Sequence, residues 1–231
     1  MSSESSPYDQ LSFEDHVKLE FHDEYRRKKA EYLKQFLPKG GRFLDVGCGS
    51  GFDLRHLADD TSSSVGVDLS MNMLTQARAW TKQSDKPVMF VQADAKSLPF
   101  RNAIFDMVHN HELSVFNGED VTEQVRVLDE QRRVLKDGGY VAVVLPRKDY
   151  NGCTFMPSGE EQIKYLFRHA GIKFISPVYY LGRLPWWSTP RILALLHLFL
   201  PAGVAKRFIK SPEEYLRDDH FFILGLGNKA Q

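Results

Sequence analysis

Gly47, Gly49 and Gly51 stand at alternate positions in Phe43-Leu44-Asp45-Val46-Gly47-Cys48-Gly49-Ser50-Gly51, directly after a short apolar run. Glycines at the carboxyl end of a buried strand let the backbone turn tightly and approach a ligand more closely than any side chain allows. A helix starting there would turn its free N–H groups toward that ligand. A second apolar run, Val65-Gly66-Val67, closes on Asp68, and one carboxylate can accept from both hydroxyls of a ribose. The two strand ends therefore point at one nucleoside. A dinucleotide fingerprint places its third glycine one residue later, which weighs against a nucleotide-dependent oxidoreductase.

A second group able to do chemistry is His109-Asn110-His111-Glu112. If the strand before it continues, His109 and His111 share a face, and an imidazole titrating near neutral pH can take a hydroxyl proton. His111 and, second, His109 are the candidate bases; the competing reading has them hydrogen-bonding a cofactor or a neighbouring loop. Metal binding by His109, His111 and Glu112 would need further ligands, and no metal is expected.

The elements that must position these groups alternate. Phe43 to Val46, Val65 to Asp68, Val88 to Gln92, Ile104 to His109 and Tyr140 to Leu145 read as strands. Helices fall near Asp53 to Ala58, Met71 to Thr81 and Thr122 to Leu135, with Ser70 placed to cap the second of them. Such alternation predicts an α/β fold with a parallel sheet and right-handed crossovers. Phe13 to Phe36 carries helical spacing and forms an N-terminal cap, in which Arg26-Arg27-Lys28-Lys29 reads as a solvated basic face.

Several blocks in order, Leu44 to Gly51, Gly66-Val67-Asp68-Leu69-Ser70, Gln92-Ala93-Asp94-Ala95, Leu98-Pro99-Phe100, Phe105-Asp106-Met107-Val108 and Arg133 to Gly139, resemble class I S-adenosylmethionine-dependent methyltransferases, most closely the type 11 small-molecule branch. The resemblance implies a doubly wound, Rossmann-like, seven-stranded sheet whose last strand is antiparallel. It implies S-adenosyl-L-methionine as cofactor. Asp45 and the loop Gly47, Cys48, Gly49 and Gly51 would approach the methionine part, Asp68 the ribose, and Asp94 with the Ala95 backbone the adenine; Leu69, Met73 and Asn110 complete the contact set. Residues just after the fourth strand would line the transferred methyl. The alternative is a cofactor-binding protein without catalysis.

Composition narrows the partners. Lys plus Arg and Asp plus Glu are 30 each, so there is no global footprint for a polyanion and no nucleic acid partner is expected. Cys48 and Cys153 give neither a disulfide framework nor a metal knuckle, and the polar start is no signal peptide, so a cytoplasmic location is expected. One domain over 1–231 is expected, with a tail at 1–9, the helical cap at 10–40, the core at 41–180 and 219–231, and a lid-like helical insertion at 181–218. That insertion holds Trp186, Trp187, the apolar stretch Ile192 to Leu200 with His197 inside it, and basic residues to Lys210. It fits a lid over an apolar or aromatic small-molecule acceptor, or a peripheral membrane contact through 184–210. Acceptor identity and oligomeric state are not specified by the sequence.

Overall fold

Seven strands form one sheet in the order β3-β2-β1-β4-β5-β7-β6. The computed structural model describes residues 21–58, 61–81, 88–118, 120–146, 159–182 and 220–230. The elements are α1 (Phe21–Lys34), β1 (Arg42–Val46), α2 (Phe52–Leu57), β2 (Ser63–Asp68), α3 (Met71–Thr81), β3 (Val88–Gln92), β4 (Phe105–His111), a 3₁₀ turn (Ser114–Asn117), α4 (Val121–Val134), β5 (Leu135–Pro146), α5 (Gly159–His169), β6 (Ile172–Gly182) and β7 (His220–Lys229). Strands β1 to β5 pair in parallel, while β7 runs antiparallel to both β5 and β6. The expected tail at 1–9 and residues 183–218 of the insertion expected at 181–218, with its tryptophans and His197, lie outside the described residues.

Local chemistry accounts for the helix starts. Ser70 Oγ accepts from the Met73 N–H at 3.2 Å and opens α3. Asp120 Oδ1 accepts from the Thr122 and Glu123 amides at 2.9 and 3.2 Å and opens α4, whose last turn carries Arg132 and Arg133 where the dipole favours cations. Two buried clusters cover the two faces of the sheet. Leu44, Val46, Val108, Val127, Leu128, Ile163 and Phe167 pack with α4 and α5 on one side. Ala30, Leu33, Phe43, Leu54, Leu57, Leu74 and Met107 pack with α1, α2 and α3 on the other.

Several strand limits differ from the sequence expectation, two of them next to the site. β4 continues to His111, because Asn110 and His111 pair with Val143 and Val144. β5 begins at Leu135, which pairs with Phe105 across an irregularity in the register; Gly138 at φ +77° absorbs the reversal after α4. Ligands of open α/β sheets sit outside the strand carboxyl ends where the order reverses. Here that point is the gap between β1 and β4, with the glycine loop on one side and His111 on the other.

Candidate active site

The glycine loop is tied to the neighbouring strand by its own backbone. The Gly47 and Cys48 amides both donate to Val67 O, at 2.7 and 2.9 Å, and the Gly51 amide donates to Cys48 O at 2.9 Å. Gly47, Gly49 and Gly51 have φ of +73°, +51° and +81°. Asp68 bridges the ends of β1 and β2: Oδ2 accepts the Gly49 amide at 2.8 Å and Oδ1 the Ser70 amide at 2.9 Å. Burial pushes its carboxyl upward while those amides oppose the shift. Each oxygen keeps acceptor capacity beyond one amide.

The glycine loop faces open space. A Cβ built on Gly49 would meet nothing within 4 Å, so open space lies directly before the loop. Half-exposed Leu69 and Met71 offer apolar surface beside Asp68, and the Ala93 amide donates to Asp68 O at 3.1 Å, which brings β3 alongside. Asp94 follows on an exposed turn, with Oδ1 taking the Lys96 amide at 2.9 Å, and Ala95 is partly buried there.

Three residues of the expected contact set point elsewhere. Met73 is a buried side chain of α3. Cys48 turns its sulfur inward toward Gly66, leaving its backbone on the loop, and burial pushes the thiol well up. Asn110 is wholly buried and donates to Gln131 Oε1 of α4 at 3.0 Å, on the face opposite the histidines.

His109 and His111 share the α1–α2 face, in line with strand alternation. His109 is fully buried, its Nδ1 is 2.7 Å from Asp45 Oδ1, and its ring lies against Phe43. Its Nε2 is buried with no hydrogen-bond partner among the described residues. His111 has a side chain 5% exposed and lies at the edge of a charged cluster that no strand motif announces. Arg26 Nη1 contacts Asp53 Oδ2 at 2.7 Å, Lys29 Nζ contacts Asp53 Oδ1 at 2.7 Å, and His111 Nδ1 lies 3.0 Å from Lys29 Nζ and 3.1 Å from Asp53 Oδ2. Half-buried Glu112 completes it, with Oε2 3.9 Å from His111 Nε2.

Lys29 is 1% exposed and Arg26 pairs with Asp53, so these two residues of the basic run turn inward, while the Arg27 side chain lies on the expected solvated face. Arg26, Lys29, Ala30 and Leu33 recur at helical spacing and form the docking stripe. Burial pulls Lys29 down to about 8, against the attraction of Asp53. Burial alone would raise Asp53, but the Arg26 and Lys29 charges and the His111 contact outweigh it and hold the carboxyl well below its usual range. Asp45, Asp53 and His109 could offer one metal-ligand atom each within 4.8 Å of one another, but the Lys29 ammonium already supplies the positive charge against Asp53.

Burial, then the Lys29 and Arg26 charges, hold His111 well below its ordinary 6.5, so the ring is neutral at neutral pH. The unfolded chain takes up this proton below 6.5 and the folded chain does not, so stability falls on acidification below that value. The slope from this residue is up to about 1.4 kcal/mol per pH unit. Urea melts at pH 7 and pH 5 should show a smaller drop in His111→Gln than in the wild type; equal drops would mean the ring protonates freely in the fold.

Among the described residues no helix is long and apolar enough to cross a membrane. Residues 44–143 match the family model described as Methyltransferase domain. The chain is 32% identical over 147 residues to demethylmenaquinone methyltransferase of Lactococcus lactis, covering 62% of this chain and 55% of that protein. It is 35% identical over 121 residues to phosphatidylethanolamine N-methyltransferase of Cereibacter sphaeroides, covering 52% and 56%. The chain thus spans about half the length of these curated relatives. In fold it is similar to phosphoethanolamine N-methyltransferase 2 of Haemonchus contortus, solved with S-adenosyl-L-methionine, at a TM-score of 0.56 and 22% identity over 88% of this chain and 53% of that one. Residues 44–143, which hold the glycine loop and the Asp68 bridge, are thus similar to a methyltransferase domain, and the antiparallel β7 beyond them completes the same fold as the solved neighbour.

Proposed function

We propose that the chain transfers a methyl group from S-adenosylmethionine to a small-molecule acceptor held over the carboxyl end of β4. The observation that carries this reading is Asp68 bridging two strand ends beside the open space before Gly49. Asp68 takes the ribose hydroxyls, the Gly47 to Gly51 backbone approaches the methionine part, and Asp94 with Ala95 meets the adenine edge. When bound, the cofactor supplies an electrophilic methyl on a sulfonium. The protein's task is to align the nucleophile and keep water out. Leu113, whose side chain lies against Gly47, brings the turn after β4 to the cofactor loop.

An acceptor with an apolar or aromatic body is supported by the composition of 184–210 and by relatives named for demethylmenaquinone and phosphatidylethanolamine. Calorimetry should find S-adenosylmethionine bound more tightly than NAD. Asp68→Ala should weaken the former by roughly 1.5 to 3 kcal/mol, the range for hydrogen bonds to a charged group. Unchanged affinity in a folded variant would remove Asp68 from the site, and preference for NAD would overturn the function.

A further inference from the structure

We propose that Glu130 and Arg133 of α4 are a positioning pair for cofactor recognition: they hold the β3–β4 connection in the register that lets Asp94 and Ala95 select an adenine over a purine with oxygen at position 6. This deepens the methyltransferase reading and rests on it.

Residues 93–104 join β3 to β4 with neither helix nor strand, a length at which connections usually carry function. Such a segment must satisfy its backbone groups outside any ladder. Leu98 is 4% exposed, and both of its main-chain groups end on the same ion pair: its amide donates to Glu130 Oε2 at 2.8 Å, and its carbonyl accepts from Arg133 Nη2 at 2.9 Å. Arg133 Nη1 donates to Phe100 O at 2.8 Å and to Asn102 Oδ1 at 2.9 Å. Nε and Nη2 meet Glu130 Oε1 and Oε2, each at 2.7 Å. All five guanidinium donors are therefore used, and the fork-to-fork contact with the carboxylate fixes the plane from which they radiate. The hydrogen bonds from Arg133 hold the Glu130 carboxyl below its usual range, so the pair stays charged at neutral pH.

Apolar contacts alone cannot do this. Leu98 in the core and Phe100, edge-on to Phe105 at 5.2 Å, anchor the segment in depth, but burial is non-directional and leaves the register along the chain open. That register reaches Asp94 through the turn before Leu98. Asp94 O accepts the Ser97 amide and Asp94 Oδ1 the Lys96 amide, both at 2.9 Å, so the turn closes on the residue next to Leu98. Lys96 Nζ also meets Glu123 Oε2 at 2.7 Å. Glu123 and Glu130 stand about two helical turns apart, so one side of α4 faces the whole segment.

The chemistry explains why register matters. An adenine edge offers a 6-amino donor, which suits the Asp94 carboxylate, beside an acceptor nitrogen that suits the Ala95 amide. Hypoxanthine reverses both, with an oxygen at position 6 and an N–H at position 1. A fixed turn sets like groups against each other in the second case and rejects it. A turn free to slide brings the carboxylate to the N–H and accepts it. Arg133→Lys removes the fork, since an ammonium has three donors in no fixed plane and cannot hold both carbonyls and Glu130 in one geometry.

Calorimetry on the full chain with S-adenosylhomocysteine and S-inosylhomocysteine tests the pair. The wild type should prefer the adenosyl ligand about 100-fold. Arg133→Lys should weaken the adenosyl ligand about tenfold and narrow the preference to about tenfold or less. Glu130→Gln, which can still accept the Leu98 amide, should narrow it less, and it carries the test if Arg133→Lys does not fold. Equal weakening of both ligands, or no change, in a folded variant would reduce the pair to a fastening of the fold and overturn the proposal, because lost stability alone leaves the ratio at its wild-type value. A wild type that binds both ligands alike overturns it too, with the methyltransferase reading intact. One that binds neither defeats that reading and the pair's role with it.

Discussion

Asp53→Ala is expected to cost the fold about 3 to 5 kcal/mol, the range for removing one partner of a buried ion pair. Asp53 is the shared anion for Arg26 and Lys29, with side chains 4%, 19% and 0% exposed. Removing it leaves the buried Lys29 ammonium between two helices without this carboxylate, beside the His111 ring. It also cuts the polar fastening of α1 to α2, so hydrogen exchange should rise first over 21–34. Lys29→Met with Asp53→Leu should lie closer to the wild type than Asp53→Ala alone, because a pair replaced by apolar groups leaves no orphaned charge. Urea denaturation decides it. A loss below about 1 kcal/mol in Asp53→Ala would mean that the cluster is hydrated and that α1 is held by its apolar residues, Ala30, Tyr32 and Leu33 among them.

The parts of this architecture legible in the sequence are those with local causes. Ser70 and the helical spacing behind it fix α3 at Met71–Thr81, and the apolar run at Val88–Gln92 gives β3 to the residue. The glycine spacing and Asp68 mark two strand ends that the fold does bring together, because positive φ at the glycines and one strand-end carboxylate suffice to join them. The charged cluster has no such signature. Arg26 and Lys29 sit in a run of four basic residues, and their partner Asp53 is on another helix 24 positions beyond Lys29; only the docking of α1 on α2 brings them together. The His109–Asp45 contact likewise needs the register of β1 against β4, where Asp45 pairs with His109, a consequence of topology and not of either strand alone. The same alternation that puts both histidines on one face puts Asn110 on the other, against Gln131. Proximity of His109 and His111 in sequence therefore says nothing about which of them reaches the open side.

Paired substitutions in the glycine loop should separate stability from ligand binding. Gly47 has φ +73°, and a Cβ there would run into the Leu113 side chain. Gly47→Ala therefore combines left-handed strain, about 1 to 2 kcal/mol, with overpacking of about 1 to 3 kcal/mol, and it pushes on the turn that carries Glu112. A stability loss of about 2 to 4 kcal/mol is expected in urea melts, given that the two effects relax together. Gly49 is different: its φ is +51° but a Cβ would meet nothing. Gly49→Ala should lose only the backbone strain, about 1 to 2 kcal/mol. That methyl would nevertheless project into the space before the loop, so calorimetry should find S-adenosylmethionine affinity reduced at least tenfold in a well-folded protein. Wild-type affinity in Gly49→Ala would show that the cofactor does not approach this part of the backbone, and the ligand would then have to lie toward β3 and Asp94.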